Sequence, residues 1–307
     1  MRYQIRHLTR YDYSGQATLS HNEARVLPRN LPWQKCLNSE WQISPKPVRL
    51  RERTDFFGNR VAYFSTESVH DSLEVVVVSE VDVSARPAQD IFSTITWPDA
   101  VSDVAQSHRT GNRECIDARL YVLESPFVRQ QQTLQQYAEE CFEDTSDLIQ
   151  GLHVLNKRIF DEFTYDPGVT TTATPVHEVM AAKRGVCQDF AHLMIGCLRS
   201  LGLPARYVSG YMETLPPPGQ EKLLGADATH AWIAAFIPGW GWLELDPTNG
   251  CLPDERYIVL GWGRDYADVT PLKGVMTGGG EHELSVAVDV VPKEVEQTTA
   301  VPLDFGK

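Results

Sequence analysis

Polar and apolar positions alternate from the first residues of the chain. Tyr3, Ile5 and His7 fall between Arg2, Gln4 and Arg6, and Thr9, Tyr11 and Tyr13 keep the period of two. That spacing predicts a half-buried strand. Pro28, Asn30 and Pro32 interrupt it, and Asp55-Phe56-Phe57-Gly58-Asn59 has the composition of a turn. Val61 to Ser65 and Leu73 to Val83 are rich in β-branched and aromatic residues. Residues 1 to about 85 are therefore expected to form a β-rich, sandwich-like unit. Beyond Ala85 the pattern fades. Pro87, Pro98 and Gly111 read as breakers, so the stretch to Pro126 is expected to be a long connection, ordered only around Leu120 to Leu123.

The period then changes. Thr145-Ser146-Asp147 offers N-cap chemistry, and Leu148, Leu152, Leu155, Ile159 and Phe163 recur at helical spacing until Tyr165-Asp166-Pro167-Gly168 turns the chain. A short helix is predicted over 175–183, stopped by Gly185. Another is predicted to begin at Val186 or Cys187, with Phe190, Ala191, Met194, Leu198 and Leu201 on its apolar face and Gly202 and Pro204 past its end. Arg206 to Met212, His230 to Ile237 and Trp242 to Asp246 read as strands, the last two joined by the turn Pro238-Gly239-Trp240-Gly241. Leu215 to Gly225, with prolines at 216, 217 and 218, is a loop between the Cys187 and His230 segments and is expected to gate the cleft. Leu284 to Val291 alternates, and this late strand must pair either with an edge of the core sheet or with the N-terminal β unit. The expected organisation is a β-rich domain and linker over 1–125, a core over 126–260, and a C-terminal segment over 261–307 whose strand packs back on one of the sheets.

Composition narrows the function. The net charge of −13 with no local basic patch argues against a nucleic-acid partner. No apolar run is long enough to cross a bilayer, and the start Met1-Arg2-Tyr3-Gln4-Ile5-Arg6 lacks the apolar segment of a secretory signal. A cytoplasmic location is the expectation. Six cysteines, at 36, 115, 141, 187, 197 and 251, lack the paired spacing of a zinc site, and no Asp-x-Asp-x-Asp-Gly calcium loop is present. No metal or other cofactor is expected, and the cysteines read as free thiols.

One of those thiols is placed differently from the rest. A cysteine in the first turn of a helix meets unpaired N–H groups and the positive end of the helix dipole, both of which favour a thiolate. The same N–H groups can serve an oxyanion. A histidine in reach can move the proton, and a carboxylate on its other ring nitrogen can fix its tautomer. His230 and Asp246 are candidates because the predicted hairpin brings them to one end of two adjacent strands. Strand parity makes this conditional: an odd-membered loop leaves the two side chains on one face, and a two-residue loop at 239–240 puts them on opposite faces. Each residue alone has an ordinary structural reading: a buried thiol, a satisfied core histidine, an aspartate ending a strand before Pro247.

Gly185-Val186-Cys187-Gln188-Asp189-Phe190-Ala191-His192-Leu193 resembles the cysteine motif of the transglutaminase-like superfamily. Asp227-Ala228-Thr229-His230-Ala231-Trp232 resembles its histidine motif, and Trp242-Leu243-Glu244-Leu245-Asp246-Pro247-Thr248 its aspartate motif. His7 to Tyr13 and Arg25 to Arg29 look like the N-terminal region of the bacterial members. The resemblance implies an α+β fold: a papain-like, transglutaminase-like core with a helix packed on an antiparallel sheet, behind the N-terminal β-rich domain. It also implies Cys187 as nucleophile, His230 as acid or base, and Asp246 as its orienter. Bacterial relatives are commonly described as cysteine proteases, so the expected substrate is a peptide, protein or other amide, cleaved or passed to a primary amine through a thioester. Tyr165 and Gln188 are candidate oxyanion donors. Asp189 either orients the site or caps the helix, with the cap favoured, and His192 packs or faces solvent. Trp232, Trp240 and Trp242 are expected in hairpin and core packing. The competing function is a non-catalytic binding or scaffolding module on the same fold. A structural β-domain protein whose cysteine is merely buried is a further alternative.

Overall fold

The structure is a computed structural model and describes residues 1–86, 95–143, 147–214 and 229–293. The 215–225 loop lies outside them, as do Asp227 and Ala228 of the histidine motif. The chain begins with β1 (Arg2–Ala24), β2 (Gln34–Ser44), β3 (Arg49–Thr54), β4 (Arg60–Thr66) and β5 (His70–Val83). Helices follow: α1 (Trp97–Thr110), α2 (Arg113–Ala118), a 3-10 turn over Arg119–Val122, α3 (Gln132–Glu139) and α4 (Leu148–Glu162). The core continues with β6 (Thr164–Tyr165), α5 (Val176–Ala182), β7 (Arg184–Gly185), α6 (Cys187–Ser200), β8 (Ala205–Met212), β9 (Thr229–Ile237) and β10 (Gly241–Leu245). It closes with β11 (Tyr257–Gly263), α7 (Tyr266–Val269), β12 (Leu272–Gly278) and β13 (His282–Lys293).

The chain is α+β, as expected, with a β-rich N-terminal region. β1 is the hub of a seven-stranded antiparallel sheet. Its first half pairs with β5 on one side and β13 on the other, and its second half with β4 and β12. The late strand therefore joins the N-terminal sheet rather than the core sheet. Tyr11, Tyr13, Trp41 and Val75 from the first half pack with Ala24, Phe64 and Leu272 from the second, so the bent sheet folds over its own core.

The connection expected over 85–126 holds two helices instead. Pro87 lies outside the described residues, and the other two residues read as breakers, Pro98 and Gly111, stand at the ends of α1. Thr96 accepts the Asp99 N–H through its side chain, Pro98 sits in the first turn where no N–H is needed, and Gly111 closes α1 in the left-handed region at φ 72°. Gly185 does not stop α5, because Lys183 does so at φ 52°.

The second sheet is antiparallel in the order β10-β9-β8-β11. One face carries Ala231, Ile233, Ala235, Leu243 and Leu245 against Phe190, Met194, Leu198 and the apolar faces of α3 and α4. Burying each Leu- or Phe-sized side chain contributes about 1.5–3 kcal/mol, and this cluster fixes α6 on the sheet. The outer edge, β11, is met by side-chain amides from the N-terminal region. Gln34 exchanges two hydrogen bonds with the Val259 backbone (2.7 and 2.8 Å), and Asn59 exchanges two with Trp262 (both 2.9 Å). Tyr211 and His7 hydrogen-bond across the same junction at 2.8 Å. The two sheets are thus tied by polar groups as well as by Tyr3, Ile5, Ile258 and Leu260. Among the described residues no helix is long and apolar enough to cross a membrane.

Candidate active site

Cys187 is the first residue of α6 and is only partly buried. The helix start is held by Asp189. Its Oδ2 accepts the Val186 N–H at 2.8 Å, half of a capping box, and the Thr170 hydroxyl at 2.6 Å. Burial raises the Asp189 carboxyl above its ordinary value, opposed by those two donors. Gly185 makes room for it, since a Cβ there would lie 2.7 Å from Oδ2. Both carboxylate contacts thus serve the turn that presents Cys187.

The β9–β10 loop has three residues. Gly241 pairs with Ile237 and Leu245 with Ile233, with Gly239 in the left-handed region at φ 77°. This odd-membered loop gives Asp246 the parity of Trp232 and His230. The Asp246 side chain therefore lies on the His230 face, and Asp246 Oδ2 stands 2.7 Å from His230 Nε2. Nδ1 is left free of Asp246, and Cys187 is near enough to the imidazole to help draw a proton onto it.

Asp246 is fully buried and heavily solvated by protein donors. Oδ2 also accepts from the Asn249 amide (2.7 Å) and the Tyr257 hydroxyl (2.8 Å). Oδ1 accepts the backbone N–H groups of Thr248 (2.8 Å) and Asn249 (3.2 Å). Burial would raise this carboxyl, but the hydrogen bond and charge of His230, with Asn249 and Tyr257, hold it below its usual range. For His230 burial favours the neutral ring. The hydrogen bonds and charges of Asp246 and Cys187 outweigh it and push the imidazole up to about 10.

Behind the ring lies Trp232, stacked at 6.0 Å between centroids, with Tyr257 at its edge. Trp232 donates Nε1–H to buried Glu244 at 2.7 Å, and Glu244 pairs with Arg86 at 2.5 Å. Gly210, opposite His230 in the ladder, leaves space for the indole, since a Cβ there would lie 2.4 Å from it.

Tyr165 lies on β6, paired with Gly185 of β7. Its phenol is raised by burial and then by the charge of Cys187, and the residue is 53% exposed. The Gln188 amide donates instead to the Thr172 carbonyl at 3.2 Å. His192 is packed, with its ring 5.6 Å from Phe127 and its Nε2 accepting the Tyr266 N–H. Trp232 is buried and Trp242 packs on Phe236, whereas Trp240 is exposed. A cavity of about 110 Å³ adjoins the strand start, between Thr229, Tyr266 and the β1 residues His7, Thr9 and Tyr11. Among the described residues no group of His, Cys, Asp and Glu side chains is arranged to hold a metal ion.

Sequence reasoning did not reach Thr170, Asn249, Tyr257 or Arg86. For Asn249 a signal existed, because Asp-Pro-Thr-Asn is a composition in which an aspartate binds the backbone two and three residues on. Tyr257 and Arg86 arrive from other strands and leave no local mark.

Residues 3–82 match the model of the bacterial transglutaminase-like N-terminal region, and residues 135–247 match that of the transglutaminase-like superfamily. The chain belongs to the transglutaminase-like superfamily. An uncharacterized protein of Mycobacterium tuberculosis is 40% identical over 299 residues, covering 95% of this chain and 93% of its own. A protein-glutamine gamma-glutamyltransferase of Pseudomonas aeruginosa is 38% identical over 73 residues, 24% of this chain and 11% of its own. The crystal structure of a Cytophaga hutchinsonii protein provisionally assigned as a cysteine protease superposes with a TM-score of 0.72 at 20% identity, over 96% of this chain and 92% of that one. This last likeness concerns the fold alone: the two chains share one arrangement along nearly their whole length.

Proposed function

We propose that this transglutaminase-like protein is a cysteine acyl-transfer enzyme that acts on peptide or other amide bonds through Cys187, His230 and Asp246. The observation that carries the reading is the setting of His230: Nε2 is bonded to a buried carboxylate, and the charge of the Cys187 thiol at the helix start is felt by the same ring. In the proposed reaction His230 holds the thiol proton while Sγ attacks the substrate carbonyl carbon. The helix start, with the Cys187 and Gln188 N–H groups, receives the oxyanion. The C–N bond then breaks, His230 delivers its proton to the leaving amine, and a thioester remains on Sγ. A second nucleophile, water or a primary amine, gives a proton to His230 as it attacks the thioester. Collapse releases the acid or the new amide, and the proton returns to sulfur. Asp246 holds the tautomer throughout.

Tyr165, half exposed and sensitive to the charge of Cys187, is our candidate for a phenolic donor to the oxyanion. Gln188 is less suited, because its amide is engaged with Thr172. The partly open thiol favours water as acceptor, while the local similarity to a protein-glutamine gamma-glutamyltransferase favours an amine. The six cysteines are all unpaired, in keeping with a reducing compartment such as the cytoplasm. The alternative is a non-catalytic binding module on the same fold.

A mass-spectrometric screen of a peptide library with an added primary amine, run on wild type and Cys187→Ala, tests the reading. Hydrolysed peptides identify a peptidase or amidase, and amine adducts a transamidase. Identical traces from the two proteins would end the enzyme reading for those substrates.

A further inference from the structure

The sheet face that carries His230 and Asp246 carries a second polar group about four residues further along β9. Arg206 pairs with Ala234, and Ala234 with Glu244, so the three form one row across the sheet. Ala234 is small, and the guanidinium lies between two indole faces, 4.2 Å from the Trp242 ring and 3.8 Å from that of Trp262. The residue is 92% buried by its 8% exposure. Its Nε is enclosed without a hydrogen-bond partner, and the Arg206 side chain makes no ion pair or hydrogen bond with any described residue. Glu244 in the same row is already engaged by Arg86 and Trp232. Burial lowers Arg206 only to about 10, so it stays cationic at neutral pH. A buried guanidinium with no acceptor is costly unless something supplies one.

The guanidinium lines a cavity of about 330 Å³, walled by Trp242, Tyr121 and Phe236, a size that suits a small organic ligand. Its rim carries Glu114 and Asp117. These stand three apart and share one side of α2. Both are exposed, and neither makes an ion pair or side-chain hydrogen bond with a described residue. Charge is therefore arranged by depth, with one cation inside between aromatic plates and two carboxylates at the mouth. A phosphate dianion entering would meet a net negative rim. A monocarboxylate that also bears an ammonium matches both ends.

We propose that this cavity is a second binding site, separate from the Cys187 centre, for a small amino carboxylate whose carboxylate forks onto Arg206 and whose ammonium faces Glu114 and Asp117. Arg206 supplies planar bidentate recognition that a lysine would not reproduce. The ligand class includes free amino acids and short peptides with one free carboxylate.

Three probes of one chain length separate the charges: 6-aminohexanoate, hexanoate and hexylamine, each titrated into full-length Cys187→Ala protein. Trp242 and Trp262 flank the guanidinium, so tryptophan fluorescence reports occupancy, and thermal shift is the second readout. The expected order is 6-aminohexanoate tightest, hexanoate weaker, and hexylamine without saturable effect. Arg206→Lys should weaken 6-aminohexanoate by at least about tenfold. Glu114→Gln/Asp117→Asn should reduce its affinity to that of hexanoate while leaving hexanoate unchanged or tighter. No saturable response to either carboxylate, or a response unaltered in Arg206→Lys, would overturn the site. Inorganic phosphate binding as tightly as 6-aminohexanoate would overturn the ligand class. The rim variant lies on the exposed side of α2, so the test stands even if the arginine variant misfolds.

Discussion

The two ends of α6 each meet buried polar groups, with opposite results. At the first turn Cys187 is half open and faces an imidazole, while Asp189 and Thr170 hold the backbone that presents it. At the last turn Arg199 is 1% exposed. Its guanidinium donates to the carbonyls of Tyr121 (2.8 Å), Ala205 (2.9 Å) and Arg264 (2.5 Å) and to the Ser125 hydroxyl (3.0 Å). Those acceptors come from the 3-10 turn, the loop before α3, the start of β8 and the segment after β11. One end gathers the chain, and the other leaves a thiol partly open near an imidazole. Cys197 completes the contrast. It lies on the same helix but fully inside the core, where burial drives its thiol far above its ordinary value.

The contrast can be broken at either end. If the first turn is the reactive one, Asp246→Asn should remove activity on the order of 10³- to 10⁴-fold, through the wrong imidazole tautomer. It should leave the circular dichroism spectrum intact, and steady-state rates on any substrate found by the peptide screen would measure it. Arg199→Met should instead cost about 3–5 kcal/mol of stability, because several buried carbonyls lose their donor at once. Urea denaturation reads that loss, and a change below about 1 kcal/mol would mean that the far end is not the anchor. Iodoacetamide at pH 6 should label Cys187 at least about 100-fold faster than Cys197 in the native protein, with peptide mapping giving both rates from one sample. Equal rates would erase the distinction between the ends.

The smallest effect is one of pH. His230 is raised from 6.5 to about 10 in the folded protein, so it binds its proton more tightly folded than unfolded. Its stabilisation is full below about pH 6.5 and is lost as pH rises through about 10. Asp246 is lowered, so its contribution is present above the ordinary carboxylate range and is lost as pH falls through the depressed value. The stability gap between wild type and His230→Gln should therefore be widest near pH 5–6 and narrow towards pH 10. In a Cys187→Ala background the upper limb should move to lower pH, because one of the two partners holding the proton is gone. An upper limb in the same place would separate Cys187 from the titration of His230.

Much of this first turn was legible in the sequence. Gly202 and Pro204 mark the end of α6, the apolar spacing marks its face, and the cysteine motif marks its start. Whether His230 and Asp246 share a face depends only on the loop length, which Gly239 and Gly241 set at three residues. The far end was not legible. Arg199 looks like any helix-surface arginine, and its acceptors lie 6 to 78 residues away. α1 was hidden for a different reason: Pro98 and Gly111 are breakers in mid-helix and caps at the ends, and composition does not say which. The pairing of β13 was open because an alternating strand carries no mark of its partner, and either sheet would have buried its Val288 and Val290.

β1 has a further consequence, in time rather than in space. Arg2 pairs with Lys293 and Leu19 with Thr277, so β1 is completed by two strands that follow the whole core in the chain. At about 5–20 residues per second, one whole edge of β1 stays open for roughly 15–60 s after it emerges, offering bare backbone groups to any neighbouring chain. The core that carries Cys187 is synthesised entirely within that interval. A nascent or C-terminally truncated chain would thus expose a long unpaired edge while already holding the segment that carries Cys187, and shielding that edge falls to whatever meets the chain during synthesis.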